Sequence, residues 1–294
     1  MTGTGPCRET RQSDRYPERI SGKPEGRIAD RAIVVADSDK NEYFSDNLAR
    51  DFIRIFRRKV IRVDYPEDGQ RDPSAAAADI CKNAEQGRAL VFYAGRGQQV
   101  RGLLDAMANK SAACGFLTGG RRELTFVNGS GVTAMLADPS TDLGNYPFLT
   151  FYYAAFSNPA APPPGRSRSK FANVFDAVSR ETTGSGYAPI PVDSDAAAGG
   201  DALRVATTAI ENTYAGHKQV GDFQSNDVYQ ALIAGVEWRG DTGPIRLDGS
   251  HKYPEDKEVY LLQARPGKPP VTVLACGNLS DDEAFATTGP VTCP

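Results

Sequence analysis

From residue 31 onward, short continuous apolar runs alternate with stretches in which apolar positions recur every three or four residues. The alternation repeats about every thirty residues, the length of a βαβ unit, and predicts a parallel sheet. The first unit pairs an apolar strand, Ala32–Ala36, with a polar loop from Asp37 to Glu42. A helix follows with Phe44, Leu48, Phe52, Ile55 and Phe56 on one face. Val60, Ile61 and Val63 form the second strand; after the loop from Pro66 to Pro73, Ser74 is placed to cap an alanine-rich helix that ends near Gly87. The third strand is Leu90–Tyr93, followed by a tight turn over Ala94–Gly97 and a helix whose buried stripe is Val100, Leu103, Leu104 and Met107. Gly115–Thr118 is expected as the fourth strand, Pro147–Tyr153 as the fifth, and a helix around Phe171–Val178 closes this series.

The predicted fold is thus α/β, an open doubly wound parallel sheet in one lobe with a C-terminal antiparallel hairpin. Residues 1–30 are polar and rich in charge, Gly and Pro, which reads as a disordered leader or linker. Residues 31–180 form the ligand-binding lobe, and 181–225 a hinge with a crossing helix over Asp201–Tyr214. Residues 226–275 form a return segment containing Pro244–Leu247, Glu258–Leu262 and Val271–Leu274, and 276–294 a tail. In that scheme Leu203, Val205, Ala206, Ala209 and Ile210 of the crossing helix are left without a covering surface.

Charge is nearly balanced, 34 Lys+Arg against 37 Asp+Glu for a net −3, which argues against nucleic acid or an anionic membrane as partner and for a small-molecule ligand. The longest apolar stretch, Phe148–Phe156, is far short of the ~20 residues that span a bilayer. No signal-peptide pattern is evident near the start, so the localisation stays open. The five cysteines lack the paired spacing of a metal site. Cys81 and Cys114 flank one strand–helix unit and are expected near each other.

In open α/β sheets, ligands gather where strands end and helix N-termini begin. That rule selects three loops: Asp37–Tyr43, Tyr93–Gly97 and Thr118–Arg121. The candidate ligand-binding residues are Tyr43, Tyr93, Ala94, Gly95, Arg96, Gly97, Thr118, Gly119 and Gly120. Tyr93 offers a ring and a hydroxyl, Gly95 and Gly97 allow backbone amides to approach a carboxylate, and Arg96 offers a bidentate fork. The Gly95-Arg96-Gly97 run lacks the third glycine of a dinucleotide fingerprint, since Val100 stands there, so no nucleotide cofactor is expected. Neither Asn128-Gly129-Ser130-Gly131 nor Gly184-Ser185-Gly186 completes a nucleophile elbow. The two histidines, His217 and His251, sit in polar sequence. No catalytic constellation emerges, and the chain is expected not to be an enzyme.

Three segments resemble the type I periplasmic-binding-protein family, whose members include ABC-transporter substrate-binding proteins for leucine, isoleucine and valine. They are Ala32–Phe44 (AIVVADSDKNEYF), Ala89–Leu104 (ALVFYAGRGQQVRGLL) and Val236–Ser250 (VEWRGDTGPIRLDGS), the last similar to the family's Gly-x-Thr-Gly-x-Ile-x-x-Asp-x-x-Gly hairpin. The resemblance covers about residues 31–275 and maps onto the second lobe and C-terminal part, with the first lobe largely missing. It implies lobe-closing capture of an amino-acid-like solute without chemistry, and an aromatic, Tyr43, that closes over the ligand. The implied partner is an ABC permease, or a separate first lobe or partner chain. The alternative is an intracellular ligand-sensing or partner-docking module of a longer protein.

Overall fold

The computed structural model describes residues 29–37, 43–56, 58–65, 72–85, 89–95, 97, 99–109, 114–118, 123–138, 141–158, 170–182, 194–216, 224–248, 251–255 and 258–277. Five parallel strands carry the architecture: β1 (Arg31–Ala36), β2 (Lys59–Asp64), β3 (Ala89–Ala94), β4 (Leu124–Asn128) and β5 (Leu149–Ala155). Two later strands, β9 (Glu258–Arg265) and β10 (Lys268–Gly277), join them in a seven-stranded sheet of order β10-β9-β5-β4-β3-β1-β2. A Pro266–Gly267 turn connects β9 to β10, with Gly267 at φ 59°, so this last pair is antiparallel. The mostly parallel α/β sheet with an antiparallel C-terminal pair is the predicted fold class.

Its burial explains the sequence pattern. β1 and β3 are interior strands, are covered on both faces and read as unbroken apolar runs, with Ala32 through Val35 fully buried. On one face, α1 (Tyr43–Ile55) lays Leu48, Ala49, Phe52 and Ile53 against Val34, Ala36, Phe92 and Ala94. The Phe52 ring stacks on Phe92 with centroids 4.1 Å apart. The other face takes α2 (Pro73–Ala84) and α3 (Val100–Ala108), which pack together. A row of rings, Tyr65, Tyr93, Phe126 and Phe151, runs through the sheet core with successive centroids 6.4, 6.3 and 5.2 Å apart. Asp72 rather than Ser74 caps α2: its carboxylate accepts from Ser74 N at 2.8 Å, with Pro73 at the first helical position. Those hydrogen bonds hold the Asp72 carboxyl below its ordinary pKa.

Gly115–Thr118, expected as a strand, is instead a helical turn, α4. A disulfide between Cys81, near the end of α2, and Cys114 pins its start, with Cα atoms 5.1 Å apart and both residues fully buried. The expected proximity of these two cysteines is therefore present. The fourth strand is β4, and beyond it a 3₁₀ turn (Ser130–Val132) leads into α5 (Thr133–Ala137).

The described residues up to Ala155, together with Leu261–Leu274, form one compact unit around this sheet. Phe156–Tyr260 and the end of β10 belong to a second unit. The second unit holds α6 (Lys170–Thr182), α7 (Ser194–Gly216), α8 (Ser225–Ile233) and a three-stranded antiparallel sheet, β6 (Val236–Gly240), β7 (Gly243–Asp248) and β8 (His251–Glu255). α7 begins seven residues before the expected Asp201. Gly199 and Gly200, read as hinge, lie inside it, and the Phe171 ring of α6 fills the space where a side chain at Gly200 would stand. Asp201 ties α7 to the β6–β7 turn. Its carboxylate accepts from Asp241 N at 2.9 Å, Thr242 N at 2.8 Å and Thr242 Oγ1 at 2.6 Å. A Cβ at Gly240 would overlap that carboxylate, so the turn requires glycine there. Val205 of α7 is buried against Val236 and Ile245, and Ala209 is fully buried. These two helix residues, expected without partners, have found them; Leu203 and Ile210 remain exposed.

Candidate functional site

The strand order places a topological switch point between β1 and β3. From β1 the chain moves outward to β2, then returns past β1 to β3 and continues to β4 and β5. Loops leaving the carboxyl ends of β1 and β3 therefore diverge, and the crevice that such a switch point creates is the usual ligand position in these sheets. The two strands are level, Ala36 beside Ala94, and Asn128 at the end of β4 is level with Tyr93.

A short network holds these ends. Asp37 N donates to Ser45 Oγ at 2.8 Å, and the Ser45 hydroxyl donates to the Ala94 carbonyl, so the first turn of α1 ties β1 to β3. Asn128 Nδ2 donates to the Tyr93 carbonyl at 3.1 Å, tying β4 to β3. Asp37, Ser45, Ala94 and Asn128 are all buried. The Asn128 Oδ1 is buried without a hydrogen-bond partner among the described residues, a costly condition that a donor on a ligand or a water would relieve.

The loop after β3 depends on Gly97, at φ 85°, where a Cβ would lie 2.7 Å from Gly131 C, Gly131 O and Val132 Cα. The Gly97 turn thus packs backbone to backbone on the turn that follows β4. Beneath it, Tyr65 Oη donates to the Gln99 carbonyl at 3.4 Å, and Tyr65 N donates to the Ala36 carbonyl at 2.9 Å. Burial, reinforced by the Asp72 charge, raises the Tyr65 pKa and keeps its hydroxyl protonated. The edge therefore combines closely packed glycine turns, the starts of α1 and α3, and one buried amide oxygen. It can orient a small polar ligand. No nucleophile–base pair lies among these residues, and no group of acidic, His or Cys side chains suited to a metal occurs among the described residues.

The candidate residues divide. Tyr43 begins α1 at this edge, and Ala94, Gly95 and Gly97 form the β3 loop. Arg96, Gly119 and Gly120 lie outside the described residues. Tyr93 needs correction: its ring belongs to the aromatic row of the sheet core and is 1% exposed, so it supports the loop from below. Thr118 also moves, because the strand expected there is α4, which precedes the amino end of β4. The carboxyl-end loop of β4 is Gly129–Gly131, and Asn128 and Ser45 join the site beside it. For Asn128 part of the signal was present, since Gly129-Ser130-Gly131 repeats the Gly-x-Gly turn after β3.

A separate cleft of about 370 Å³ lies between the β4–β5 connection and the β9–β10 turn, lined by Leu136, Thr141, Leu143, Tyr153, Arg265 and Lys268 among others. It shares no residue with the β1–β3 crevice. We assign the candidate site to the crevice, where strand ends, glycine turns and the buried Asn128 oxygen converge.

No protein-family model matches the chain, and no curated protein does. Solved structures do. A leucine-binding protein from Thermotoga maritima superposes with a TM-score of 0.57 at 18% identity, covering 91% of this chain and 67% of its own. This chain has the type I periplasmic-binding-protein fold. An ABC-transporter solute-binding protein from R. palustris in complex with 4-hydroxybenzoate shares the fold with a TM-score of 0.58 at 16% identity, covering 92% of this chain and 66% of its own. A fatty acid ABC-transporter substrate-binding protein from Thermomonospora curvata does so with 0.56 at 13%, covering 90% and 61%. The chain thus spans about two thirds of the length of the solved type I proteins it matches.

Proposed function

We propose that this chain is the ligand-capturing part of an ABC-type substrate-binding protein and performs no chemistry on its ligand. The observation that carries this reading is the switch-point crevice between β1 and β3, in a chain whose fold is that of solved solute-binding proteins. The ligand is a small amino-acid-like solute. Its carboxylate lies against the backbone of the Gly95–Gly97 turn, and a donor such as an ammonium reaches Asn128 Oδ1. Tyr43, at the start of α1, borders the same crevice, and Arg96, by its place in the sequence between Gly95 and Gly97, is the candidate cation for the carboxylate. Occupancy shifts a conformational equilibrium toward a closed state that a permease recognises. The neighbours' named cargoes, leucine, 4-hydroxybenzoate and fatty acid, share a carboxylate, which supports a carboxylate-bearing ligand.

Isothermal titration calorimetry with leucine, valine, 4-hydroxybenzoate and a medium-chain fatty acid tests the reading. Saturable one-site binding of at least one, lost in Gly97→Val while the circular dichroism spectrum is kept, is the expected result. A folded chain that binds none of the four, or binds equally well as Gly97→Val, overturns it.

A further inference from the structure

We propose that the outward face of α7 is a homodimerisation seam, on which α7 of a second copy lies antiparallel. The helix has two distinct faces. Asp201, Val205, Ala209 and Thr213 are buried, Asp201 and Val205 against the β6–β8 sheet and Thr213 beside α8, where its hydroxyl reaches the Asp227 carbonyl at 3.4 Å. On the opposite side, Leu203, Thr207, Ile210 and Tyr214 recur at intervals of four, three and four residues, the spacing of one helical stripe. Leu203 is 70% exposed, Ile210 44% and Tyr214 47%. Thr207, in the middle of the stripe, donates its hydroxyl to the Leu203 carbonyl at 2.8 Å, so it brings no unmet donor into a dry interface.

The occupant follows from the charges that border the stripe. Arg204 and Glu211, one helical heptad apart, lie on the same flank. When two identical helices pair antiparallel about a two-fold axis, the same flanks meet, and Arg204 of each copy faces Glu211 of the other. The axis that pairs these charges passes between residues 207 and 208, and the axis that centres the apolar stripe passes within one residue of it. Both patterns are therefore self-complementary about one point. A net charge of −3 offers little opposition to self-association. Arg204 also stands over the Trp238 ring of β6, 5.7 Å from its centroid, which keeps its side chain on the flank between the stripe and the sheet.

Sedimentation equilibrium of the full chain over a range of concentrations supplies the test. A reversible dimer is expected, abolished by Ile210→Lys and by Leu203→Lys with the helical circular dichroism unchanged. Arg204→Glu and Glu211→Arg should each weaken it about fivefold, because two symmetric ion pairs become like-charge pairs. The double variant R204E/E211R should restore the wild-type dissociation constant. A monomer at all concentrations overturns the proposal, and so does a dimer that either lysine variant leaves intact. Charge reversals whose effects add without rescue overturn the antiparallel arrangement. The calorimetric titration is read in the monomeric variants as well, so failure of this seam and failure of solute capture are scored separately.

Discussion

The sheet unit and the α7 unit both place helices on sheets, yet they close their apolar surface to different degrees. In the first, β1 and β3 are sandwiched between α1 on one face and α2 and α3 on the other, and no residue of β3 is exposed. In the second, a three-stranded sheet with the alternating burial of β6 and the helix α8 cover α7 from one side. The other side keeps Leu203 and Ile210 in solvent. The contrast teaches that apolar spacing predicts a helix's faces, whereas the number of covering layers decides whether both are used.

The largest effects should come from the sandwiched unit. Phe126→Ala, which removes a fully buried ring between Tyr93 and Phe151, should cost about 4 kcal/mol in denaturant unfolding. Leu203→Ala on α7 should stay within about 0.5 kcal/mol. Similar costs at both positions would break the comparison. Next comes the Cys81–Cys114 disulfide, which closes a loop with a sequence separation of 33 around β3 and α3. Its removal as Cys81→Ala/Cys114→Ala should cost about 3 kcal/mol, read as a fall in the unfolding midpoint matched by chemical reduction of the wild type.

In the α7 unit, Asp201→Ala leaves Thr242 N and Asp241 N without their acceptor and should cost about 2 kcal/mol. The loss should appear as faster hydrogen exchange in β6, β7 and α7, with β1 and β3 unchanged. The smallest effect concerns pH. Burial, the leading cause in each case, raises the pKa of Tyr65, Tyr146 and Tyr152. A raised folded-state pKa means that the stabilisation is fully present below the unfolded value, about 10, and is lost as pH rises through the folded values. Alkaline titration of tyrosinate absorbance should show a late, cooperative fraction that coincides with unfolding of the sheet unit. Early, non-cooperative ionisation of all tyrosines would contradict it.

The legible parts of the fold were those where one physical signal dominates. β1 and β3 are unbroken apolar runs because two layers bury them, and α1 shows its stripe because one of its faces remains wet. Gly115–Thr118 misled because four residues cannot display a helical period; the Cys114 crosslink that fixes the turn is a tertiary fact. Gly199 and Gly200 read as a break, and only the Phe171 ring packed against Gly200 explains their place within a helix. At the site, the glycine turn after β3 was readable from the strand that precedes it. Strand parity alone could have placed Tyr93 in the core beside Val91, opposite Phe92 and Ala94. Asn128 and Ser45 escaped because their roles arise from contacts across 35 and 49 residues of sequence.

Solute capture at the β1–β3–β4 edge is tested most directly by hydrogen exchange of the full chain with and without saturating leucine, and again with 4-hydroxybenzoate. The expected result is slowed exchange over residues 43–46, 97–103 and 129–133, with α7 and the segment around Cys114 unchanged. Protection confined to the β9–β10 turn and the cleft beside it, or no protection with any solute that binds, would contradict the assignment.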